Sequence, residues 1–446
     1  MRRTILIVAL GGVLAGGALF SWQWWKTCPD SSVFIGDEAI AKLNGGSSHA
    51  RSVAPEPSLP SIAGLDLTRV TFDESGAIAP AAEDRVVHLT LDAELQKTAL
   101  ALMAAHHLPE ASVVMIDPAT GHVLVYASYL DKASPRDLCA EATAPSASVF
   151  KIVTGSALVE DAHLGADSKE CYSGGGSERL QAQDLVDDPK KDKWCVTLAG
   201  AMGRSVNAVI AKLAQKHLKP ADVEAMAKQF GYGAPVPFDV PVQPAAVNIP
   251  PEPLDFARTS AGFWNTTLSP LEAAWMSTIV ARGGEAVRPL IVKDVRAANG
   301  EIVYTSPASP VVRRVVKADT AAAITTMMDY TVSDGTSFRA FHDEKGHAFI
   351  PNITIAGKTG TLTDQQQNRY YTWFTGFAPS RPLGDVKTVA IAVLVVNQPN
   401  WQVKANVLAR DMLRAYFAGQ NVPLVTRPSP QAIVRHNTLR AKNAKK

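Results

Sequence analysis

Pro145-Ser-Ala-Ser-Val-Phe-Lys-Ile-Val-Thr-Gly155 is the segment on which the reading of the fold turns. It holds Ser148 and Lys151, and the run FKIVTGSALV reads as a helix that this pair opens. A spacing of three puts both side chains on one helical face. A serine hydroxyl is a poor nucleophile at neutral pH unless a base stands beside it, and a partly desolvated lysine can be that base. A helix N-terminus also turns backbone N–H groups toward a developing oxyanion. Taken alone, Ser-x-x-Lys is common by chance, although it occurs once in this chain.

Two more short motifs follow in order. Ser205-Val-Asn207 offers a hydroxyl that can relay a proton and an amide that can both donate to and accept from a peptide. By itself it reads better as a helix cap followed by a surface asparagine. Lys358-Thr-Gly-Thr361 follows ITIAG, which reads as a strand over Ile353–Ala356. Its lysine and threonines can hold a carboxylate, and Gly360 lets a substrate strand approach the edge.

Ser-x-x-Lys, Ser-x-Asn and Lys-Thr-Gly in this order resemble the set shared by penicillin-binding proteins and serine β-lactamases. The surroundings extend the resemblance over about residues 86–417. Leu89-Thr-Leu-Asp92 with Gln96, and Ile116-Asp-Pro with Thr120-Gly121, resemble the start of a transpeptidase module. Leu268-Ser-Pro-Leu-Glu-Ala-Ala274, Gly335-Thr336 and Trp373-Phe-Thr-Gly-Phe-Ala-Pro379 resemble its later landmarks. The resemblance implies that Ser148 is acylated, that Lys151 is its base and that Ser205 relays protons. It implies that Asn207, Lys358, Thr359, Gly360 and Thr361 bind substrate, with the N–H groups of Ser148 and Thr361 as the oxyanion hole. Two departures stand out. Ser146-Ala147 replaces the family's glycine before the nucleophile, and the loop LTDQQQNRYY (362–371) beside the site is unusual.

The implied fold is α/β in the α+β sense, similar to penicillin-binding transpeptidases and serine β-lactamases. It has an antiparallel sheet with helices on both faces and an all-helical subdomain. The pattern agrees: a helix over Leu91–His107, a hairpin over Ala111–Ser128 and a mainly helical middle to about Arg282. Strands then follow at Thr372–Phe377 and Val389–Val396, with a closing helix at Lys404–Ala418.

Arg2 and Arg3 precede an apolar run, Ile5–Phe20, and then Trp22, Trp24, Trp25 and Lys26. Residues 1–26 are expected to be an uncleaved membrane anchor with its N-terminus inside; Ala15–Ala18 could instead mark a processing site. Residues 27–85, rich in Ser, Pro, Gly and Ala, read as a stalk with a short ordered piece at Asp66–Phe72. Residues 86–420 read as the transpeptidase domain and 421–446 as a basic tail. The formal charge is +2, with +3 in residues 1–26 and +6 in residues 421–446, which leaves −7 between them. That acidic body argues against a nucleic-acid partner. Four cysteines suit an oxidising compartment, and Cys171 and Cys195, flanking a Gly-rich loop, are the expected disulfide. No metal-ligand spacing is present, and no cofactor is expected.

The expected activity is peptidoglycan D,D-transpeptidation on stem peptides, inhibited by β-lactams, at the outer face of the cytoplasmic membrane. D,D-carboxypeptidase is the alternative, then β-lactamase or a non-catalytic β-lactam-binding protein. Residues 27–85 are too short for a glycan-polymerising domain, so a separate glycosyltransferase is an expected partner.

Overall fold

The computed structural model describes residues 62–420 and 422, except 133–135, 175–179, 309–310 and 399. The expected anchor, residues 27–61 of the stalk, and all of the basic tail but Val422 lie outside the described residues. Among the described residues no helix is long and apolar enough to cross a membrane.

Five antiparallel strands form the central sheet. Their order is Ala356–Asp364, Arg369–Ala378, Val389–Asn397, Glu110–Ile116, Val123–Leu130. The N-terminal hairpin and the C-terminal strands therefore meet in one sheet, as the sequence pattern implies. Every residue of Val389–Asn397 is buried because layers cover both faces. One layer contains the helix Pro270–Ala281, and the other contains Ala93–Ala105 and Ala405–Gly419. A continuous apolar strand of this kind belongs in the middle of a sheet. Beside it lies the helical region, including Lys151–Glu160, Leu198–Gly203, Asn207–His217 and Ala318–Ser333.

Two expectations shift. The strand placed at Ile353–Ala356 instead runs from Ala356 to Asp364, so Lys358-Thr-Gly-Thr361 is itself the edge strand. Its nine residues pair in unbroken register with Arg369–Ala378. Ile353 and Ile355 are buried in the apolar layer just before it. Residues 62–85, assigned to the stalk, are folded. Thr71–Asp73 and Gly76–Pro80 form a hairpin that pairs with Val86–Leu89. Together with Val292–Arg296 and Ile302–Thr305 they make a second five-stranded sheet. Ala77 and Ala79 are buried and their neighbours are not, the period of a strand with one face on a core. The folded region thus extends N-terminal to Val86; small alanines in a Pro-containing stretch gave too weak an apolar signal to mark it.

Helix Pro270–Ala281 carries a charge-bearing group into the core. Ser269 caps it by accepting from the Glu272 N–H, and the Glu272 side chain is fully buried. Burial pushes that carboxyl up from 4.5 to about 8, against a smaller opposing effect of the Ala245 backbone. The folded chain therefore holds a proton that the unfolded chain releases. This contribution to stability is complete below about pH 4.5 and is lost as pH rises toward 8. Denaturant midpoints should reveal a component falling by about 1.4 kcal/mol per pH unit in that window, absent in Glu272→Gln. An identical slope in Glu272→Gln would contradict the buried-proton account.

Candidate active site

Ser148 sits in a 3-10 turn, Ala147–Phe150, which runs directly into helix Lys151–Glu160. That helix is buried from Lys151 to Leu158. It is fixed from two sides: Thr154 Oγ1 donates to the Ser260 carbonyl (2.8 Å), and Trp373 Nε1 donates to the Pro145 carbonyl (2.9 Å). The second bond ties the nucleophile turn to the central sheet. Each such bond contributes about 1 kcal/mol to stability, and together they fix where the sheet edge lies relative to Ser148.

The residue before the nucleophile shows what the missing family glycine entails. Ala147 adopts φ +48°, in the left-handed region that glycine enters freely and alanine at some cost. Ser205 is also left-handed, at φ +56°. Strained residues held by their surroundings cluster at functional sites. Gly262 and Gly360 keep the space around the turn clear. A Cβ on Gly262, itself at φ +83°, would stand 2.3 Å from the Ala147 carbonyl oxygen. A Cβ on Gly360 would stand 3.1 Å from that of Ala147.

The three motifs converge here. Lys151 Nζ lies 2.7 Å from Ser148 Oγ, 2.6 Å from Asn207 Oδ1, 2.6 Å from the Ala261 carbonyl and 3.3 Å from Ser205 Oγ. Asn207 and Ala261 offer only acceptors at these contacts, so two N–H bonds of Lys151 go to them. A neutral amine then has its lone pair for the Ser148 hydroxyl proton. Burial, with the neighbouring Lys358 adding to it, pushes Lys151 well below the usual lysine range. Lys358 Nζ donates to Ser205 Oγ (3.2 Å) and to the Thr359 carbonyl (2.8 Å). Burial lowers Lys358 to about 7. Ser205 thus bridges two buried lysines, a short path along which a proton can move.

Thr359, Gly360 and Thr361 line the same cleft of about 650 Å³ as Ser148, Ser205 and Asn207. Thr336, from the Gly335-Thr336 landmark, shares a 2.6 Å hydroxyl–hydroxyl hydrogen bond with Thr359. Every site residue named from the sequence except the cysteines lies in or directly behind this cleft. The loop 362–371 also contributes, through Leu362, Thr363 and Gln365. The sequence reading missed the Ala261 carbonyl, for which a backbone acceptor leaves no residue-type signal, and Lys404 and Asn406, which enter from the closing helix.

The two cysteines stand away from the cleft but act on an element that builds it. Cys171 and Cys195 are directly paired across the hairpin Lys169–Tyr172 and Trp194–Thr197, and their sulfurs are bonded. Thr197 caps the helix Leu198–Gly203 that leads to Ser205. Lys212, on the helix that begins at Asn207, donates to the Cys171 carbonyl (3.0 Å) and to Asp192 (2.7 Å). The hairpin thus holds both elements that carry the second motif. Cys139 is buried and free; Cys28 lies outside the described residues.

Known proteins place this arrangement. Residues 111–413 match the family model of the penicillin-binding protein transpeptidase domain. Over 265 residues the chain is 29% identical to the peptidoglycan D,D-transpeptidase PbpA of Mycobacterium tuberculosis, covering 57% of this chain and 50% of that protein. With the protein of the same name from Mycolicibacterium smegmatis it shares 27% over 320 residues, 64% of this chain and 61% of that one. The chain thus spans about half the length of the Mycobacterium relative. Among solved structures, the D,D-transpeptidase domain of a peptidoglycan glycosyltransferase from Eggerthella lenta superposes with a TM-score of 0.61 at 24% identity, covering 76% of this chain and 84% of that one. A ceftriaxone acyl-enzyme complex of the M. tuberculosis protein gives 0.58 at 23% identity, covering 74% and 79%. These structures share the fold. The family match spans well over half of the sequence and takes in all three converging motifs, and the chain belongs to the penicillin-binding protein transpeptidases.

Proposed function

We propose that this protein is a peptidoglycan D,D-transpeptidase that crosslinks stem peptides through an acyl-enzyme on Ser148. The observation that carries the reading is the fully buried Lys151, its proton affinity lowered by burial and by Lys358, 2.7 Å from Ser148 Oγ at the wall of an open cleft. Ser148 Oγ attacks the carbonyl carbon of the D-Ala–D-Ala amide while its proton passes to Lys151 Nζ. The N–H groups of Ser148 and Thr361 hold the oxyanion. The C–N bond then breaks, and the departing D-Ala amine takes the proton from Lys151 by way of Ser205. An amine of a second stem attacks the Ser148 ester, the new amide forms, and Ser148 regains its proton. Asn207 binds the peptide amide; Thr359, Gly360 and Thr361 hold the terminal residue of the donor, with Lys358 buried directly behind them. β-Lactams acylate the same serine.

In this reading residues 1–26 anchor the chain in the cytoplasmic membrane with the catalytic domain outside, as their basic start, apolar run and tryptophan cluster support. A separate glycosyltransferase supplies the glycan strands. The deciding experiment supplies the purified protein with a stem-peptide donor, with and without an amine acceptor. Crosslinked dimer in the presence of acceptor supports the reading. Release of D-Ala with no dimer, even at high acceptor concentration, replaces it with carboxypeptidase. Rapid turnover of β-lactam replaces it with β-lactamase.

A further inference from the structure

The buried state of Lys358 leaves a question of charge in the cleft. It is 0% exposed, its ammonium is turned to Ser205 and the Thr359 carbonyl, and it is a weak source of positive charge for a ligand in solvent-filled space. Lys151 is equally buried and engaged. A desolvated carboxylate needs a counter-charge or several donors to replace its water. Two further cations line the cleft, Arg204 and Lys404. Arg204 is already paired with Asp334.

Lys404 differs. It is exposed, its ammonium lies over the Trp401 ring at 5.4 Å from the centroid, and among the described residues it makes no ion pair. Trp401 packs in turn on Tyr370, with ring centroids 5.2 Å apart, so the ammonium stands over one member of an aromatic pair. Its position on the sheet is defined. The next residue, Ala405, donates its N–H to Thr372 Oγ1 at 3.2 Å, and Thr372 is the cross-strand partner of Thr361. Side chains alternate along a strand, so Thr359, Thr361 and Thr363 share one face of the motif strand, and Thr372 shares that face on the neighbouring strand. These threonines and Lys404 line one cleft with Ser148.

We infer that Lys404 is a specificity-determining residue, supplying the counter-charge for a carboxylate of the peptide that acylates Ser148, beside the hydroxyl donors of Thr359 and Thr361. Lys358 organises Ser205 and the strand behind them. The inference rests on the acyl-enzyme reading above and deepens it. It assigns the charge reading of the donor to a side chain from the closing helix, outside the three motifs. A charge-assisted contact of this kind is worth about 10- to 100-fold in efficiency when partly exposed to water.

The test uses two thioester peptide donors that differ only in the leaving group, one ending in a carboxylate and one in the uncharged primary amide. Acylation of Ser148 is followed by intact mass, comparing kcat/KM for wild type, Lys404→Met and Lys404→Arg. Wild type should prefer the carboxylate donor. Lys404→Met should lose about tenfold or more on that donor and remain within about twofold on the amide donor, with Lys404→Arg restoring the preference. Raised salt should weaken the wild-type preference and leave Lys404→Met unaffected. If wild type prefers the carboxylate and Lys404→Met keeps that preference, the assignment of Lys404 is overturned while the acyl-enzyme reading stands. If wild type shows no preference, or Lys404→Met loses equally on both donors, Lys404 does not read charge. If neither donor acylates wild-type Ser148, the acyl-enzyme reading fails and this inference with it.

Discussion

Lys151→Ala should fold as the wild type does and acylate at least 10²-fold and up to about 10⁴-fold more slowly, the range spanned by loss of a positioned general base. Three features set that size. The amine is withdrawn from water, the neighbouring Lys358 lowers its proton affinity further, and its nitrogen touches the nucleophile. The variant removes a buried amine together with its contacts to Asn207 and Ala261, so its thermal midpoint must be read beside its rate. Because the amine acts when neutral, the wild-type acylation rate should rise with pH through the titration of the coupled Lys151–Ser205–Lys358 unit. Lys358, at about 7, places part of that titration near neutrality. Stopped-flow acylation with a chromogenic β-lactam across pH measures both. A folded Lys151→Ala protein with the wild-type rate and pH profile would remove the lysine from the chemistry.

Replacing both Cys171 and Cys195 by serine should lower stability by about 3 kcal/mol. The bond closes a loop with a sequence separation of 24, and the chain-entropy model assigns roughly that value to a loop of this size. The loss should not remain confined to the hairpin. Lys212 bonds to the Cys171 carbonyl, and the strand holding Cys195 leads through Thr197 to the helix before Ser205. Loosening this clamp should also slow acylation, by misplacing Ser205 and Asn207. Chemical denaturation and acylation rates of the double variant test the two effects together. Unchanged stability would show that the bond adds no constraint beyond the paired strands.

The three motifs were legible in sequence because their chemistry fixes residue types at short spacing, and the fold brings together Ser148, Ser205 and Lys358, which lie 57 and then 153 positions apart along the chain. The central sheet was legible in outline, since Val389–Asn397 and Glu110–Ile116 are apolar enough to read as strands without context. What escaped depends on tertiary contact. Lys358-Thr-Gly-Thr361 carries little strand propensity and is a strand because Ala356–Asp364, which contains it, pairs residue by residue with Arg369–Ala378. Gly76–Pro80 is too small and Pro-marked to stand out until Val86–Leu89 pairs with it. The Ala261 carbonyl and Lys404 belong to the cleft through the path of the backbone, which no residue-type pattern reports.

The central claim is that Ser148, activated by Lys151, forms a covalent acyl-enzyme. Intact mass spectrometry of the full chain after incubation with penicillin tests it most directly, with peptide mapping of the adduct. The account predicts one added penicillin per chain, located on the peptide that contains Ser148 and absent from Ser148→Ala. An adduct that persists in Ser148→Ala, or a folded wild-type protein that acquires none, would contradict it.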